Sequence, residues 1–288
     1  FTRSCDHWSE LGRLEMEAFY ALASVDYLHL AEAIDWKLWF ETRQTLAGPR
    51  SLNLLDIACG SGKFPAALTS HAKVSSASIR PINYALLDPS IFSISEARQA
   101  LLPPFQPGTE YEMRLQDLKC QEVVFDIVWA THALYAVPLD ELELALKCMA
   151  RAMGHLGQSD KSGVAFIAHA SAQSHYLQFY QRYLTGFKHG VGEPYTNSEQ
   201  ISSLLSKMGL ALDCKEIKYT NGAPQTDDLQ VERYLQRCVF DDTISLKDML
   251  SNRVTGPYLE SCRKNGMWVF PQHVTMIFAN SRAGSVPS

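Results

Sequence analysis

The sequence has no C-x-x-C pair, no apolar run near the roughly 18 residues that a membrane helix needs, and no basic cluster. Its seven cysteines are odd in number and widely spaced, which argues against a disulfide framework or a cysteine zinc site and indicates reduced thiols. The net charge of −5 argues against a nucleic-acid surface, which shows a basic footprint. These absences predict a cytoplasmic protein without a nucleic-acid or membrane partner.

Apolar side chains are abundant, at 46% hydrophobic and 20% charged residues, which is typical of a globular protein. The 288 residues suffice for one large domain or for a core with added helices, and no internal repeat is present. The first residue is Phe1 rather than Met, which leaves open whether a natural or removed targeting segment precedes it. The oligomeric state, monomer or homodimer, is also left open.

The most informative stretch is 52–62, which reads Leu-Asn-Leu-Leu-Asp-Ile-Ala-Cys-Gly-Ser-Gly. An apolar run ends in Asp56 and is followed by Gly60 and Gly62. Residues 64–68 are then compatible with a helix. This order of strand, glycine-rich turn and helix is typical of the first unit of an open α/β nucleotide-binding sheet. Glycines permit a sharp turn and a close approach of ligand to backbone. The pattern therefore predicts a ligand site beside Asp56.

Two phosphate-binding interpretations fit poorly. A P-loop requires glycine where Ile57 stands and serine or threonine where Phe64 stands. A dinucleotide fingerprint requires glycine or alanine where Pro65 stands, and the charge of Asp56 would repel a pyrophosphate.

Residues 56–62 resemble the first motif of class I S-adenosylmethionine-dependent methyltransferases, Asp/Glu-x-Gly-x-Gly-x-Gly. Ala58 replaces the first glycine, a departure that restricts the turn. The resemblance implies S-adenosylmethionine as the cofactor. This ligand has no phosphate and carries a sulfonium and an ammonium group, so a carboxylate at Asp56 suits it electrostatically.

Further strand ends follow in the order of this family. Later strands are predicted at 84–88, 111–115, 125–130, 163–169, 211–219 and 273–280. Asp88 ends the second strand, where an acid holds ribose hydroxyls in such folds. Asp117 follows the third, where the family places an acid or amide near the adenine amino group. Residues 131–135 form the loop beside the cofactor.

The resemblance implies an α/β fold: a Rossmann-like, seven-stranded, mostly parallel sheet with an antiparallel last strand, helices on both faces and an added helical lid. We predict that residues 1–288 form a single methyltransferase domain. Its parts are an N-terminal helical lid at 1–50, a cofactor-binding core at 51–170, and helical insertions at 171–196 and 220–272 that complete the acceptor pocket.

Two sets of site residues are predicted, and no metal ligands. The cofactor-binding set is Asp56, Ala58, Cys59, Gly60, Ser61, Gly62, Asp88, Pro89, Asp117, Leu118, Thr131 and His132, with Tyr20 and Tyr27 from the lid. The catalytic set is His132, Tyr135, His169 and His175. Because the loop after the fourth strand faces the transferable methyl group in this family, His132 is the preferred base and Tyr135 the residue that orients the acceptor. Each histidine could equally be a hydrogen-bonded packing residue.

The acceptor is predicted to be a small molecule methylated on nitrogen, oxygen or sulfur. The loop after the fourth strand lacks the Asp/Asn-Pro-Pro-Tyr/Phe motif of enzymes that methylate amino groups of nucleic acids, and it lacks the Pro-Cys nucleophile of cytosine C5 enzymes. The pattern from Tyr135 through Tyr183 is weakly similar to the histamine N-methyltransferase group. Two alternatives stay open: a member of the fold that binds S-adenosylmethionine for another reaction or for a partner, and a nicotinamide-dependent oxidoreductase.

Overall fold

A computed structural model describes residues 21–119, 125–155 and 163–280. Within these ranges the strands are β1 (Leu52–Ile57), β2 (Ile82–Asp88), β3 (Phe105–Glu112), β4 (Ile127–Thr131), β5 (Val164–Ala170), β6 (Ala211–Pro224), β7 (Arg263–Lys264) and β8 (Met267–Asn280). The α-helices are α1 (Val25–Glu32), α2 (Trp36–Ala47), α3 (Lys63–His71), α4 (Ile91–Ala100), α5 (Leu142–Ala152), α6 (His175–Phe187), α7 (Ser198–Lys207), α8 (Asp228–Val239), α9 (Leu246–Ser251) and α10 (Thr255–Ser261). Short 3₁₀ turns lie at Leu115–Asp117 and Leu134–Ala136.

All eight strands belong to one sheet with the order β3-β2-β1-β4-β5-β8-β6, and β7 pairs with β8. Strands β1 to β5 pair in parallel, whereas β8 is antiparallel to both β5 and β6. The Rossmann-like, mostly parallel sheet with an antiparallel last strand is therefore confirmed. The two-residue β7 is an addition to the seven strands that were predicted.

Alternation along the central strands divides the core between the two faces of the sheet. On β4, Trp129 packs into one buried cluster with Trp36 and Phe64, from α2 and α3. Its neighbour Val128 points to the opposite cluster, which contains Met149 of α5. Helices therefore cover both faces, and the carboxyl ends of the parallel strands are left as the edge where a ligand can bind.

The N-terminal segment that was predicted to be helical contains two helices in the described residues, α1 and α2. The chain breaks at Asp35, whose Oδ1 accepts a hydrogen bond from the backbone N–H of Leu38 at 2.9 Å. An aspartate that caps a helix in this way satisfies one of its unpaired N–H groups and favours a helix start over a helix interior. The break separates α1, beside the ligand edge, from α2, against the sheet.

The third strand begins earlier than predicted, at Phe105 rather than at residue 111, and it includes Pro107. Because β3 pairs only with β2 and forms the edge of the sheet, the missing N–H of proline costs little.

The last two long strands extend beyond the predicted ends, so that β6 and β8 pair over fourteen residues each. Residues 220–224 and 267–272, which were predicted as helical insertion, are strand. The helices α8, α9 and α10 lie between them and form a third buried cluster with α6 and the far end of β8. Phe179, Tyr234 and Trp268 are central to that cluster. Among the described helices, none combines the length and the apolar character that crossing a membrane requires.

Candidate active site

A cavity of about 740 Å³ opens at the carboxyl ends of β1, β2 and β4. One end, the turn part, is lined by Asp56, Ala58, Cys59, Gly60, Ser61 and Asp88. The other end, the aromatic part, is lined by Tyr176, Tyr180, Tyr195, Tyr219 and Tyr234. Ligand pockets typically measure roughly 300–1,000 Å³, so this one has room for a cofactor together with a small second molecule.

The turn after β1 has the backbone conformation that the motif requires. Ala58, Gly60 and Gly62 have φ angles of +50°, +50° and +68°. A left-handed conformation is strained for alanine but open to glycine, so Ala58 is held against its own preference at the ligand edge. The Cys59 N–H donates to the Leu87 carbonyl at 3.2 Å, which ties the turn to β2.

Gly62 permits close packing and does not line the cavity. A Cβ atom at this position would lie 3.0 Å from Cβ of Ala100 and 3.1 Å from Cα of Ala97, both in the segment of α4. Gly62, which was predicted to contact the cofactor, allows α3 to pack closely against α4.

Asp88 is fixed by two backbone groups. The N–H of Gly60 donates to Asp88 Oδ2 at 3.2 Å, and the N–H of Ser90 donates to Oδ1 at 2.9 Å. Burial raises the pKa of Asp88 to about 6, although both hydrogen bonds oppose the rise. The Asp88 carboxylate is therefore held at the end of β2, where it can accept hydrogen bonds from a ligand.

Asp56 is more deeply buried, and burial raises its pKa to about 7. The Tyr84 hydroxyl donates to Asp56 Oδ2 at 2.7 Å. The nearby hydroxyl oxygen of Ser61 lines the cavity and has no hydrogen-bond partner. A buried carboxyl group whose ionised form lacks a balancing charge and an unpaired hydroxyl together fit a ligand that brings a positive charge and polar groups.

Asp117 and Leu118 do not line the cavity. The Asp117 carboxylate is exposed and accepts a hydrogen bond from Nε of Arg114 at 2.9 Å, while Leu118 is buried in the core. The 3₁₀ turn instead directs Leu115 and Gln116 to the cavity. The structure therefore places neither of these predicted cofactor-binding residues on the cavity wall.

His132 and Tyr135 line the cavity between its two parts. His132 has φ +52°, and its Nδ1 lies 3.4 Å from the Tyr135 hydroxyl, which accepts a hydrogen bond from the N–H of Ala170 at 3.0 Å. Its Nε2 is buried without a partner, and burial lowers its pKa to about 4. The imidazole is therefore neutral at pH 7 and has a nitrogen free for a ligand. The ring of Tyr27 meets it edge-on at 5.8 Å.

His169 and His175 are fully buried and do not line the cavity. His169 stacks behind Tyr135 at 3.9 Å, and its Nε2 lies 2.9 Å from the Thr196 carbonyl oxygen. His175 lies in the third buried cluster, with its Nδ1 2.8 Å from the Tyr258 hydroxyl. The structure therefore places neither of these two predicted catalytic histidines on the cavity wall.

The predicted set also missed residues of the aromatic part. Asp26, Tyr219, Tyr234 and Gln272 line the cavity from α1, β6, α8 and β8. No sequence motif marks Asp26, since α1 also contains the charged or polar residues His29 and Glu32. The predicted Tyr27, Pro89 and Thr131 do lie on the wall, whereas Tyr20 falls outside the described residues. In the described part of the chain, no three histidine, cysteine or acidic side chains come together as a possible metal site.

Residues 55–158 match the sequence family described as a methyltransferase domain. A comparison with curated proteins finds no match.

Similar folds occur among solved structures. The magnesium protoporphyrin IX methyltransferase of Synechocystis PCC 6803, solved with S-adenosylhomocysteine bound, is 12% identical with a TM-score of 0.52 and covers 94% of this chain and 96% of its own. A protein from Bacillus halodurans C-125 that carries the provisional name of a methyltransferase is 12% identical, with a TM-score of 0.53 and coverage of 85% and 99%. The YcgJ protein of Bacillus subtilis is 15% identical, with a TM-score of 0.50 and coverage of 87% and 99%. At these identities the structures show a common fold.

The matched residues begin near the end of β1 and include the turn part of the cavity and the His132 loop beside it. Residues 55–158 therefore match a methyltransferase domain, and the chain shares its fold with a methyltransferase that was solved with S-adenosylhomocysteine bound.

Proposed function

We propose that the protein transfers the methyl group of S-adenosylmethionine to a nitrogen, oxygen or sulfur atom of a small molecule bound in the aromatic part of the cavity. The single observation that supports this proposal is that one cavity joins the turn part to an aromatic wall. The cofactor supplies the electrophilic methyl group, so the protein has to align the acceptor and exclude water.

The turn part is the proposed cofactor site. Asp56 and Asp88 provide carboxylates, and the turn from Ala58 to Ser61 provides a close backbone approach. The raised pKa of Asp56 suits this role, because a positively charged ligand group would stabilise the ionised form and restore a normal pKa.

The cover of the aromatic part is proposed to come from helices added to the sheet. Helix α1 contributes Asp26 and Tyr27 to the wall, and α6 contributes Tyr176 and Tyr180. Tyr180 and Tyr195 stack at 3.7 Å, which gives this side a flat apolar surface. These placements support the proposal that the N-terminal helices and the segment after β5 form a lid in a single 1–288 domain.

His132 and Tyr135 are the proposed residues that contact the acceptor. The unpaired Nε2 of His132 would accept a hydrogen bond, and a proton where the acceptor must lose one. Tyr135 is held by the Ala170 N–H and would fix the orientation of the loop.

Turnover can be measured as conversion of S-adenosylmethionine to S-adenosylhomocysteine with panels of small amines, phenols and thiols, with tRNA and duplex DNA included as macromolecular acceptors. We expect turnover with members of the small-molecule panels alone. Conversion with tRNA or DNA alone would overturn the proposed acceptor class. Binding of S-adenosylhomocysteine without turnover in any panel would favour the non-methylating alternative.

With an acceptor in hand, we expect His132→Gln to lower the rate constant by at least about ten-fold, since positioned acid–base groups typically contribute 10²–10⁴-fold. Affinity for S-adenosylhomocysteine should be nearly unchanged. The matched control is His71→Gln, an exposed histidine at the end of α3. Full activity in His132→Gln would reduce His132 to a packing residue.

A further inference from the structure

Asp26 is the one carboxylate that the described chain contributes to the aromatic part of the cavity. The other two acids on the wall, Asp56 and Asp88, belong to the turn part. Asp26 lies in the first turn of α1, and its Oδ1 is buried without a hydrogen-bond partner. A buried carboxylate oxygen with no partner is costly in a folded protein, so this oxygen is a position where a bound molecule can supply the missing partner.

The surroundings of Asp26 are polar on one side and aromatic on the others. Hydrogen bonds from the side chains of Asn221 and Tyr219 favour the ionised form of its carboxyl group, but burial outweighs them and raises its pKa to about 7. Its charge also acts on Tyr135 and Tyr234, whose hydroxyls have raised pKa values mainly through their own burial. Asp26 is therefore embedded in the aromatic wall that also contains the His132–Tyr135 pair.

No cationic side chain in the described part of the chain forms an ion pair with Asp26. The Lys188 ammonium on the cavity wall lies 2.9 Å from Asp241, and Arg237 pairs with Asp242. The negative charge of Asp26 is therefore not balanced by these cations, and phenolic ring faces next to it favour a positive charge.

We propose that the acceptor is an organic cation whose protonated nitrogen donates a hydrogen bond to Asp26 Oδ1, so that Asp26 determines acceptor specificity. This inference rests on the proposed function. The atom that receives the methyl group is a second one on the same molecule, because a protonated ammonium has no lone pair for attack. An anionic acceptor would instead place like charges together in a buried site.

The test uses three probes of nearly equal shape: 2-phenylethylammonium, 2-phenylethanol and phenylacetate. Calorimetry on the full chain saturated with S-adenosylhomocysteine should give at least about ten-fold tighter binding of the ammonium probe than of the alcohol, and the weakest binding of phenylacetate. In Asp26→Asn, which keeps the shape of the side chain, the preference for ammonium should disappear while affinities for the alcohol and for S-adenosylhomocysteine stay the same.

The matched control is Asp140→Asn, which neutralises an exposed aspartate that does not line the cavity and should keep the wild-type preference. Equal binding of the ammonium and alcohol probes would overturn the proposal, as would tighter binding of phenylacetate, a preference that survives in Asp26→Asn, or no ammonium binding by protein that binds S-adenosylhomocysteine. Failure of wild-type protein to bind S-adenosylhomocysteine would instead count against the proposed function.

Discussion

Asp88 and Asp117 show how strongly the surroundings of one side chain decide its use. Asp88 is 6% exposed, lines the cavity and holds the turn through the Gly60 and Ser90 amides. Asp117 is exposed and pairs with Arg114. Both follow predicted strands, and only the structure distinguishes the buried acceptor from the surface ion pair.

We therefore expect Asp88→Ala to weaken S-adenosylhomocysteine binding by about 2–3 kcal/mol, the cost of losing hydrogen bonds to a charged acceptor. Asp117→Ala, the control, should bind as the wild type does, because its carboxylate does not reach the cavity. Isothermal calorimetry measures both. Normal affinity in Asp88→Ala, or an equal loss in Asp117→Ala, would contradict the assignment of the cofactor site.

At this scale the sequence predicts residues that a strand end marks, and misses residues that only the folded chain brings together. Asp56 and Asp88 end strands of a recognisable pattern. Asp26 and Tyr234 are almost 210 positions apart in the sequence, on helices that carry no motif, and the fold places both on the wall of one cavity. Nothing local to either residue indicates that shared position.

Between elements, the contact of α3 with α4 depends on the absence of a side chain at Gly62. We expect Gly62→Ala to destabilise the protein by about 2–4 kcal/mol, since a positive φ costs about 1–3 kcal/mol and crowding adds to it. Gly209→Ala is the control: Gly209 also has a positive φ, +83°, but nothing lies within 4 Å of its would-be Cβ. Its cost should be the backbone strain alone.

Chemical denaturation of the two variants, with the midpoint and slope measured for each, separates crowding from backbone strain. The difference between them is the decisive quantity. If Gly209→Ala destabilised the protein as much as Gly62→Ala does, close packing of α3 on α4 would not be the reason for glycine in the turn.

Elements were predicted well where periodicity was strong and poorly where tertiary context overrode a local signal. The parallel strands were found because they are buried on both faces and read as apolar runs. The third strand was predicted to begin at residue 111 rather than at Phe105, because the pattern does not state that this strand, with Pro107, lies at the edge of the sheet. The parts of β6 and β8 at 220–224 and 267–272 were not predicted as strands. They pair with each other in the folded chain, and that pairing between distant segments is not visible in the local sequence.

For the whole molecule, burial of ionisable groups links stability to pH. The pKa of Asp56 is about 7 in the folded chain and near 3.8 when unfolded, so its contribution to stability is fully present below about pH 4 and is lost as pH rises through 7. Burial lowers the pKa values of three histidines, which are His132, His169 and His175. Their contribution to the stability of the folded protein has the opposite pH dependence and is lost as pH falls.

We therefore compare the free energy of unfolding of Asp56→Asn with that of the wild type, both without ligand. We expect the difference to shift in favour of Asp56→Asn by on the order of 3 kcal/mol as pH rises from 4 to 8. The histidine contributions are common to both proteins and cancel in this comparison. Urea denaturation at several pH values measures the difference. A difference that does not change with pH would show that Asp56 titrates normally in the folded protein.

The distribution of aromatic residues also gives the molecule an optical asymmetry. The tryptophans in the described ranges, Trp36, Trp39, Trp129 and Trp268, are buried, and none lines the cavity, whereas its wall is rich in tyrosine. Occupancy of the cavity should therefore appear in the near-ultraviolet absorbance of the phenol rings. The indole emission should respond mainly to unfolding, so that a single sample carries separate spectroscopic reporters of ligand binding and of folding.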